Sequence, residues 1–443
     1  MKIVIMGAGD VGSHLAKLLS REAQDIVLVD PDRNKLDPLD SNYNLMTLVG
    51  SPTSFEALRS ARVPNCDLYI AVTPYETTNI ISCEIAKNLG AKTTVARVDN
   101  YEFMQPKHVE VFNALGVDHL IYPEMFAAAE TLSALRRSWA RNWLELNDGE
   151  IMVVGVKVRD DAPIVGQLIK DLAIQQALHI SAIKRRHETI IPRGDDRIKS
   201  GDILFFTTTK DHVDEVREVC GKTLHQIKKV MIMGGSRIAV RIAVMGADEF
   251  KFKIIEQDSN RCLWLADRCP DAEIIHGDGR DNELLIEEGI EDQDAFIALT
   301  DSSETNILAC LTAKEFGVEK TVAEVENIQL ISEAEGLNIG TVINKKLLAS
   351  SKIFQLMLAA DSETSKCLTL ADAEVATLTA NPGSKITKGR IRDLNLTRDM
   401  TIAGAVRNGN GMLVTGNTII EPGDQVVVFC LAGSIHKIER LFS

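Results

Sequence analysis

The chain has 443 residues, 45% of them hydrophobic and 25% charged, with a formal net charge of −14. That length suits two to four domains, and that balance belongs to folded globular proteins rather than disordered ones. The negative charge opposes non-specific binding of DNA or RNA. No apolar run reaches the roughly 18 residues that a membrane-spanning helix needs.

The chain opens directly on an apolar run without a basic leader, and its eight cysteines are scattered without a C-x-x-C pair. The sequence therefore predicts a reduced, cytoplasmic protein without disulfide staples or a structural zinc site.

Lys2 to Met6 reads as a buried parallel strand. Gly7-Ala8-Gly9-Asp10-Val11-Gly12 follows at once, and Val11, Leu15, Leu18 and Leu19 then recur at helical spacing. Strand, tight turn and helix are the context a dinucleotide fingerprint needs. Gly7 permits the turn, Gly9 lets the backbone approach a pyrophosphate, and Gly12 allows close helix–strand packing. The helix N-terminus favours the phosphates. Ile26 to Asp30 supplies the next strand, and an acid at its end accepts ribose hydroxyls while repelling a 2′-phosphate. NAD(H) is thus favoured over NADP(H). The alternative is a Rossmann-like sheet whose turn is purely structural.

Further strands are predicted at 44–49, 68–73 and 93–98, with helices near 52–62, 77–89 and 101–114. Strand ends converge on the ligand crevice, so Thr73, Glu76 and Asn79 are candidates there. Asn79 suits a helix surface equally well. Arg97 suits either a phosphate or a local acid.

A shift of 227 positions carries Gly7 onto Gly234, Asp67 onto Asp294, Asn79 onto Asn306 and Arg97 onto Glu324. A shift one residue shorter carries Asp30 onto Glu256. Such ordered matches mark an internal duplication. The second turn is degraded: Ser236 replaces the second glycine and Ala239 the third. Gly234, Gly235, Ser236, Arg237, Ile238, Glu256, Asp278 and Thr300 outline a second candidate site. The serine Cβ occupies the path of a pyrophosphate, and Glu324 replaces a cation with an anion. The first lobe is therefore expected to be the better nucleotide site.

The duplication extends further. Gly201-Asp202 and Gly423-Asp424 each mark a tight turn before a terminal strand, in short β-rich stretches that predict small α+β modules. The order is large, small, large, small. Apolar helices at Phe126 to Trp139 and Leu347 to Ala360 join large to small modules, with Met125, Ala128, Ala129, Leu132 and Leu135 on one and Ile353, Leu356 and Leu358 on the other. They pair subunits or lobes, or else pack within their own domain. Arg185, Arg186, Arg193 and Arg407 form an anion site or a solvated face. Asp160, Asp161, Asp195 and Asp196 match no recognised oxygen-ligand loop, so no metal is predicted. His187 and His225 are isolated, and no catalytic set is evident.

This layout resembles the tandem RCK, or KTN, family of TrkA-type potassium-uptake regulatory proteins. The likeness rests on Gly7 to Gly12, Asp30, Ala71-Val72-Thr73, the helix containing Asn79, and Val95-Ala96-Arg97-Val98. In the second half it rests on Glu256-Gln257-Asp258, His276-Gly277-Asp278-Gly279 and Ala298-Leu299-Thr300. The resemblance implies two Rossmann-like parallel-sheet domains of the α/β class, at 1–122 and 227–344. Connecting helices at 123–142 and 345–362 and small α+β domains at 143–221 and 363–443 complete it. It also implies a non-enzymatic cytoplasmic subunit, peripheral on the inner face of the membrane. Such a subunit binds NAD(H), or in some members ATP or ADP, and forms dimers and a tetrameric ring beneath a membrane-embedded potassium transporter or channel. The other readings are an NAD-dependent oxidoreductase, a nucleotide-sensing transcriptional regulator, and a regulator of transport of another ion. The acidic balance and the lack of a helix–turn–helix argue against the nucleic-acid reading.

Overall fold

The computed structural model describes all residues except 21–23, 173–176, 187, 338, 361–366, 371–372, 395, 432–434 and 443. The first large lobe runs β1 (Lys2–Met6), α1 (Asp10–Leu19), β2 (Asp25–Asp30), α2 (Arg33–Asp40), β3 (Met46–Val49), α3 (Phe55–Ser60), β4 (Leu68–Ala71), α4 (Glu76–Leu89), β5 (Thr93–Arg97), α5 (Pro106–Ala114) and β6 (His119–Ile121). Its strands form one parallel sheet in the order β3-β2-β1-β4-β5-β6. Alternate residues of β1 enter different cores: Ile3 and Ile5 one, Val4 and Met6 the other. Period-two alternation with both faces covered explains why the strand reads as an unbroken apolar run. The strand order reverses between β1 and β4, and a ligand crevice belongs at the carboxyl ends there.

Two elements escape the sequence reading. α2 is charged and contains Pro38, so its apolar periodicity is weak, and β6 has three residues. The helix expected over 101–114 is divided: a 3₁₀ turn spans Tyr101–Met104, and α5 starts afresh at Pro106. Proline is suited to a first helical position and not to an interior one.

α6 (Pro123–Arg136) leads to the first small domain, with β7 (Asn142–Leu146), β8 (Ile151–Lys157), β9 (Leu178–Arg185), β10 (Glu188–Ile190), β11 (Ile203–Thr208) and α7 (Val213–Val219). The sheet order is β10-β9-β11-β8-β7.

The second half repeats the plan. β12 (Lys229–Met233), α8 (Arg237–Gly246), β13 (Lys251–Glu256), α9 (Ser259–Arg268), β14 (Glu273–His276), α10 (Asn282–Glu287), β15 (Ala295–Ala298), α11 (Ser303–Glu315), β16 (Lys320–Glu324), α12 (Ile331–Gly336) and β17 (Thr341–Ile343) form the second large lobe. Its order, β14-β13-β12-β15-β16-β17, is that of the first. α13 (Lys345–Ala360) leads to β18 (Cys367–Leu370), β19 (Ala373–Thr379), β20 (Met400–Arg407), β21 (Asn410–Leu413), β22 (Gln425–Leu431) and α14 (Ile435–Phe442).

The connecting helices cross over. Leu132 and Leu135 of α6 join Ile238, Ile242 and Ala243 of α8 in the core of the second lobe. Ala349 and Ile353 of α13 join Val11 and Leu15 of α1 in the core of the first. Each helix thus packs on the lobe it does not come from. The Leu358 side chain lies outside the described residues. The small domains also unite: Ile151, Val153 and Phe205 share a core with Val375, Val427 and Phe429.

In the small domains three of the four candidate anion residues are committed to acceptors of the protein itself. Arg185 binds both oxygens of Asp202 at 2.8 and 2.7 Å, and Arg407 binds those of Asp424 at 2.9 and 2.7 Å. Arg193 donates to the Thr397 carbonyl across the interface at 2.8 Å. Arg186 sits at a hairpin turn with φ 56°. Asp195 pairs with Lys170, Asp196 accepts the Arg193 N–H, and Asp160 accepts the Ser200 hydroxyl. No group of three or more metal-ligand side chains occurs among the described residues. His225 lies 3.2 Å from Glu319, and His187 lies outside the described residues.

Candidate nucleotide crevices

At the first turn, Gly7 has φ +106°, and a Cβ there would meet Thr73 backbone at 3.1 Å. Gly12 is tighter still, because a Cβ would fall 1.8 Å from the Gly7 carbonyl oxygen. Gly9 differs. A Cβ on it would meet nothing within 4 Å, and it caps α1 without any side-chain hydrogen bond. The α1 N-terminus is therefore left for an external acceptor, the arrangement that favours a phosphate.

Asp30 is buried at the end of β2. Its carboxylate accepts the Ala8 N–H at 2.7 Å and the Asp32 N–H at 2.9 Å. It ties the turn to the strand, and each oxygen keeps a lone pair for a ribose hydroxyl. Glu256 repeats this role: it accepts the Gly235 N–H at 2.7 Å and the Asp258 N–H at 2.9 Å.

Thr73 and Asn79 form a latch. The Asn79 carboxamide oxygen accepts the Thr73 N–H and hydroxyl at 3.0 and 2.7 Å, and its amide donates to the Thr73 and Arg97 carbonyls at 3.0 and 2.9 Å. Thr300 and Asn306 reproduce it, with the Glu324 carbonyl in place of that of Arg97. Asn79 is therefore spent on joining β4, α4 and β5. Glu76 accepts the N–H groups of Asp99 and Asn100 at 2.8 and 2.9 Å. Val11 and Ile238 turn their side chains into the cores, leaving only their backbone for a ligand. Arg97 pairs with Asp99 at 2.8 Å, the local acid, while its buried Nε has no hydrogen-bond partner among the described residues.

A cavity of about 700 Å3 lies over the second turn. Ser236 caps its own helix by accepting the Ala239 N–H at 3.3 Å, so one donor that is open in the first lobe is used. Asp278 is held by a bidentate bond from Arg280, at 2.9 and 2.7 Å, which lowers its pKa. Arg261 donates to the Gly235 carbonyl at 2.7 Å and stacks on Trp264. Burial raises the pKa of Glu324, which lies 3.2 Å from Lys345. Burial also works against the Lys345 charge, but attraction to Glu324 and a bond to Glu326 outweigh it and raise its pKa.

Sequence reasoning missed Arg261, Arg280, Lys345 and Glu124, all of which line this cavity. Glu124 starts α6 and comes from the other half of the chain. Buried to 2% exposure, it pairs with Arg237 at 3.1 Å, and its second oxygen has no hydrogen-bond partner among the described residues. The first turn carries the same contact with its charges exchanged: Lys346, starting α13, pairs with Asp10 at 2.6 Å. Asp10 and Arg237 are equivalent by the 227-residue shift. Glu124 and Lys346 are equivalent by strand register, since Arg97 pairs with Ile121 and Glu324 with Ile343. The signal lay in aligning the helix starts.

The fold and its two glycine turns define a chain of paired Rossmann-type lobes, each followed by a small α+β domain. The chain belongs to the TrkA-like RCK/KTN family: TrkA-N domain models match residues 3–123 and 230–345, and TrkA-C domain models match 153–221 and 375–443. It is 30% identical over 450 residues to the Trk system potassium uptake protein TrkA of Halomonas elongata, covering 100% of this chain and 98% of the relative. The crystal structure of the GsuK RCK domain superposes with a TM-score of 0.59 at 17% identity, covering 100% of this chain and 94% of that one. The GsuK channel bound to NAD gives 0.61 at 18%, covering 100% and 78%. At such identity these structures show the shared fold.

Proposed function

We propose that this chain is a cytoplasmic regulatory subunit of a Trk-type potassium uptake system. It binds NAD(H), or ATP or ADP, in the first crevice, and the second takes a nucleotide more weakly. It acts by binding and carries out no reaction. Full-length similarity to a Trk system potassium uptake protein supports the transport role. The observation that carries the nucleotide role is Gly9: its uncapped helix end opens onto space that no protein atom fills. Asp30 reads the adenosine ribose and Arg97 meets a phosphate. In the second crevice Arg237, Arg261 and Arg280 supply the cations.

The membrane partner is a Trk-type potassium-translocating protein, and the subunits assemble as dimers into a tetrameric ring on its inner face. A ligand biases the pore only through a preference for one ring state. The crossed helices offer the route: a phosphate at the second turn competes with Glu124 for Arg237 and so acts on α6, which leaves the first lobe.

The test begins with mass spectrometry of nucleotide retained on the purified protein. NADH, NAD, ATP and ADP are then titrated against wild type, Gly9→Ala and Asp30→Ala. Because a Cβ at Gly9 meets no protein atom, Gly9→Ala keeps the fold and obstructs only the ligand. A loss of NADH affinity of about ten-fold or more is expected for both variants. Equally tight NADH binding by wild type and both variants would overturn the assignment.

A further inference from the structure

We infer that the chain carries a second kind of anion site, away from both crevices, that takes a small molecule bearing two or more phosphoryl groups. It is a cavity of about 600 Å3 between the first small domain and the amino-terminal edge of the second lobe's sheet. Arg141, Lys157, Arg159, Lys222, Lys314 and Lys320 line it, against Asp160, Asp161 and Glu319. In a chain of net charge −14, this local excess of cations is an electrostatic sink for an anion.

The duplication supplies an internal control. Lys314 and Lys320 correspond to Lys87 and Thr93 of the first lobe, since Leu68 pairs with Thr93 and Ala295 with Lys320. In the first lobe Lys87 is neutralised by Asp118 at 2.7 Å. The residue equivalent to Asp118 is Gly340, as Val95 pairs with His119 and Val322 with Thr341. Gly340 has φ +100°, and a Cβ there would fall 2.2 Å from the Thr321 carbonyl oxygen, so no acid fits that position. The second lobe has thus gained a cation and lost an anion at one place. Lys320 is buried at 7% exposure, and its ammonium donates to the Thr341 hydroxyl at 3.1 Å and the Ser138 carbonyl at 3.3 Å. Burial, then repulsion from Arg141 and Lys314, lowers its pKa to about 7, while Glu130 on α6 opposes the shift. Burial and neighbouring cations, Arg159 foremost, likewise lower that of Lys222 to about 8, against the pull of Asp161. A bound polyanion would relieve this crowding.

The experiment is calorimetric titration of the full chain with inorganic tripolyphosphate, with and without saturating NADH. Lys320→Thr, which installs the residue the first lobe uses, and Arg159→Gln, on an exposed side chain, are each expected to weaken binding by about ten-fold or more. Saturating NADH leaves the wild-type affinity unchanged. Rising pH weakens binding more in wild type than in Lys320→Thr, because only wild type loses the Lys320 charge as pH passes about 7. Should Lys320→Thr fail to fold, Arg159→Gln decides alone. Unchanged affinity in the folded variants, or displacement of tripolyphosphate by NADH, overturns the site without touching the crevice assignment. Loss of NADH binding in Gly9→Ala bears on the crevice only.

Discussion

The two glycine turns share a backbone and differ in how their helix ends are used. At the first, Gly9 leaves α1 uncapped and open; at the second, Ser236 caps α8 itself. The acid that gathers two N–H groups and the threonine–asparagine latch are the same in both lobes. What changed is charge: Asp10 against Arg237, Arg97 against Glu324, Lys346 against Glu124. Hydrogen bonds that hold the crevice in shape tolerate little alteration, because an unmet buried donor is costly. Charges at its rim can be exchanged, provided the partner is exchanged too.

The largest effect separating the turns is expected at the third glycine position. Gly12→Ala places a Cβ against the Gly7 carbonyl and should cost about 3 kcal/mol in thermal or urea unfolding. The second lobe already carries Ala239 there, fully buried, and Ala239→Gly should cost only about 1 kcal/mol. Equal costs would mean that the turns pack alike. Next comes Arg237→Ala, which strands the buried Glu124 carboxylate and should cost about 2 kcal/mol. Arg237→Lys should recover part of that loss.

A smaller effect is expected at Glu324. Burial raises its pKa, so the folded protein holds this proton to higher pH than the unfolded chain. The stability linked to that proton is full below the unfolded value and is lost as pH rises through the folded one. Glu324→Gln should therefore be about 1 kcal/mol more stable than wild type near neutral pH and indistinguishable in acid. Lys345 keeps Glu326 as a partner in the variant. A pH-independent difference would remove Glu324 as the source of the asymmetry.

Much of this was legible in the sequence. Strand–turn–helix at Gly7 and the repeat at Gly234 set both lobes, because parallel strands buried on two faces leave apolar runs and tight turns leave glycines. The positions of Asp30 and Glu256 at their strand ends were legible, but not that each carboxylate gathers two backbone N–H groups. Asn79 could not be assigned, since one asparagine serves a crevice or a latch equally well until its four bonds are seen. Arg97 was open for the same reason, and Asp99 supplied the local acid. Glu124 and Lys346 stayed hidden because their partners lie more than a hundred residues away, and only the crossing of α6 and α13 brings them together.

The smallest effect tests that crossing directly. Lys346 lies between Asp10, whose side chain is 64% exposed, and Glu326 at 2.9 Å. Its loss leaves Asp10 in water and Glu326 still held by Lys345, so Lys346→Ala should cost under about 1 kcal/mol, and less still at high salt. The exchanged pair at Arg237 should respond less to salt, because Glu124 is buried. The two contacts occupy equivalent places, so a difference in cost and in salt response would reflect the charges each variant leaves behind: Asp10 in water and Glu326 on Lys345 in one, Glu124 in the interior in the other. If Lys346→Ala proves as damaging as Arg237→Ala, the first contact is as desolvated in solution as the second. Both helices would then be clamped equally, and a ligand would have to break either contact at similar cost.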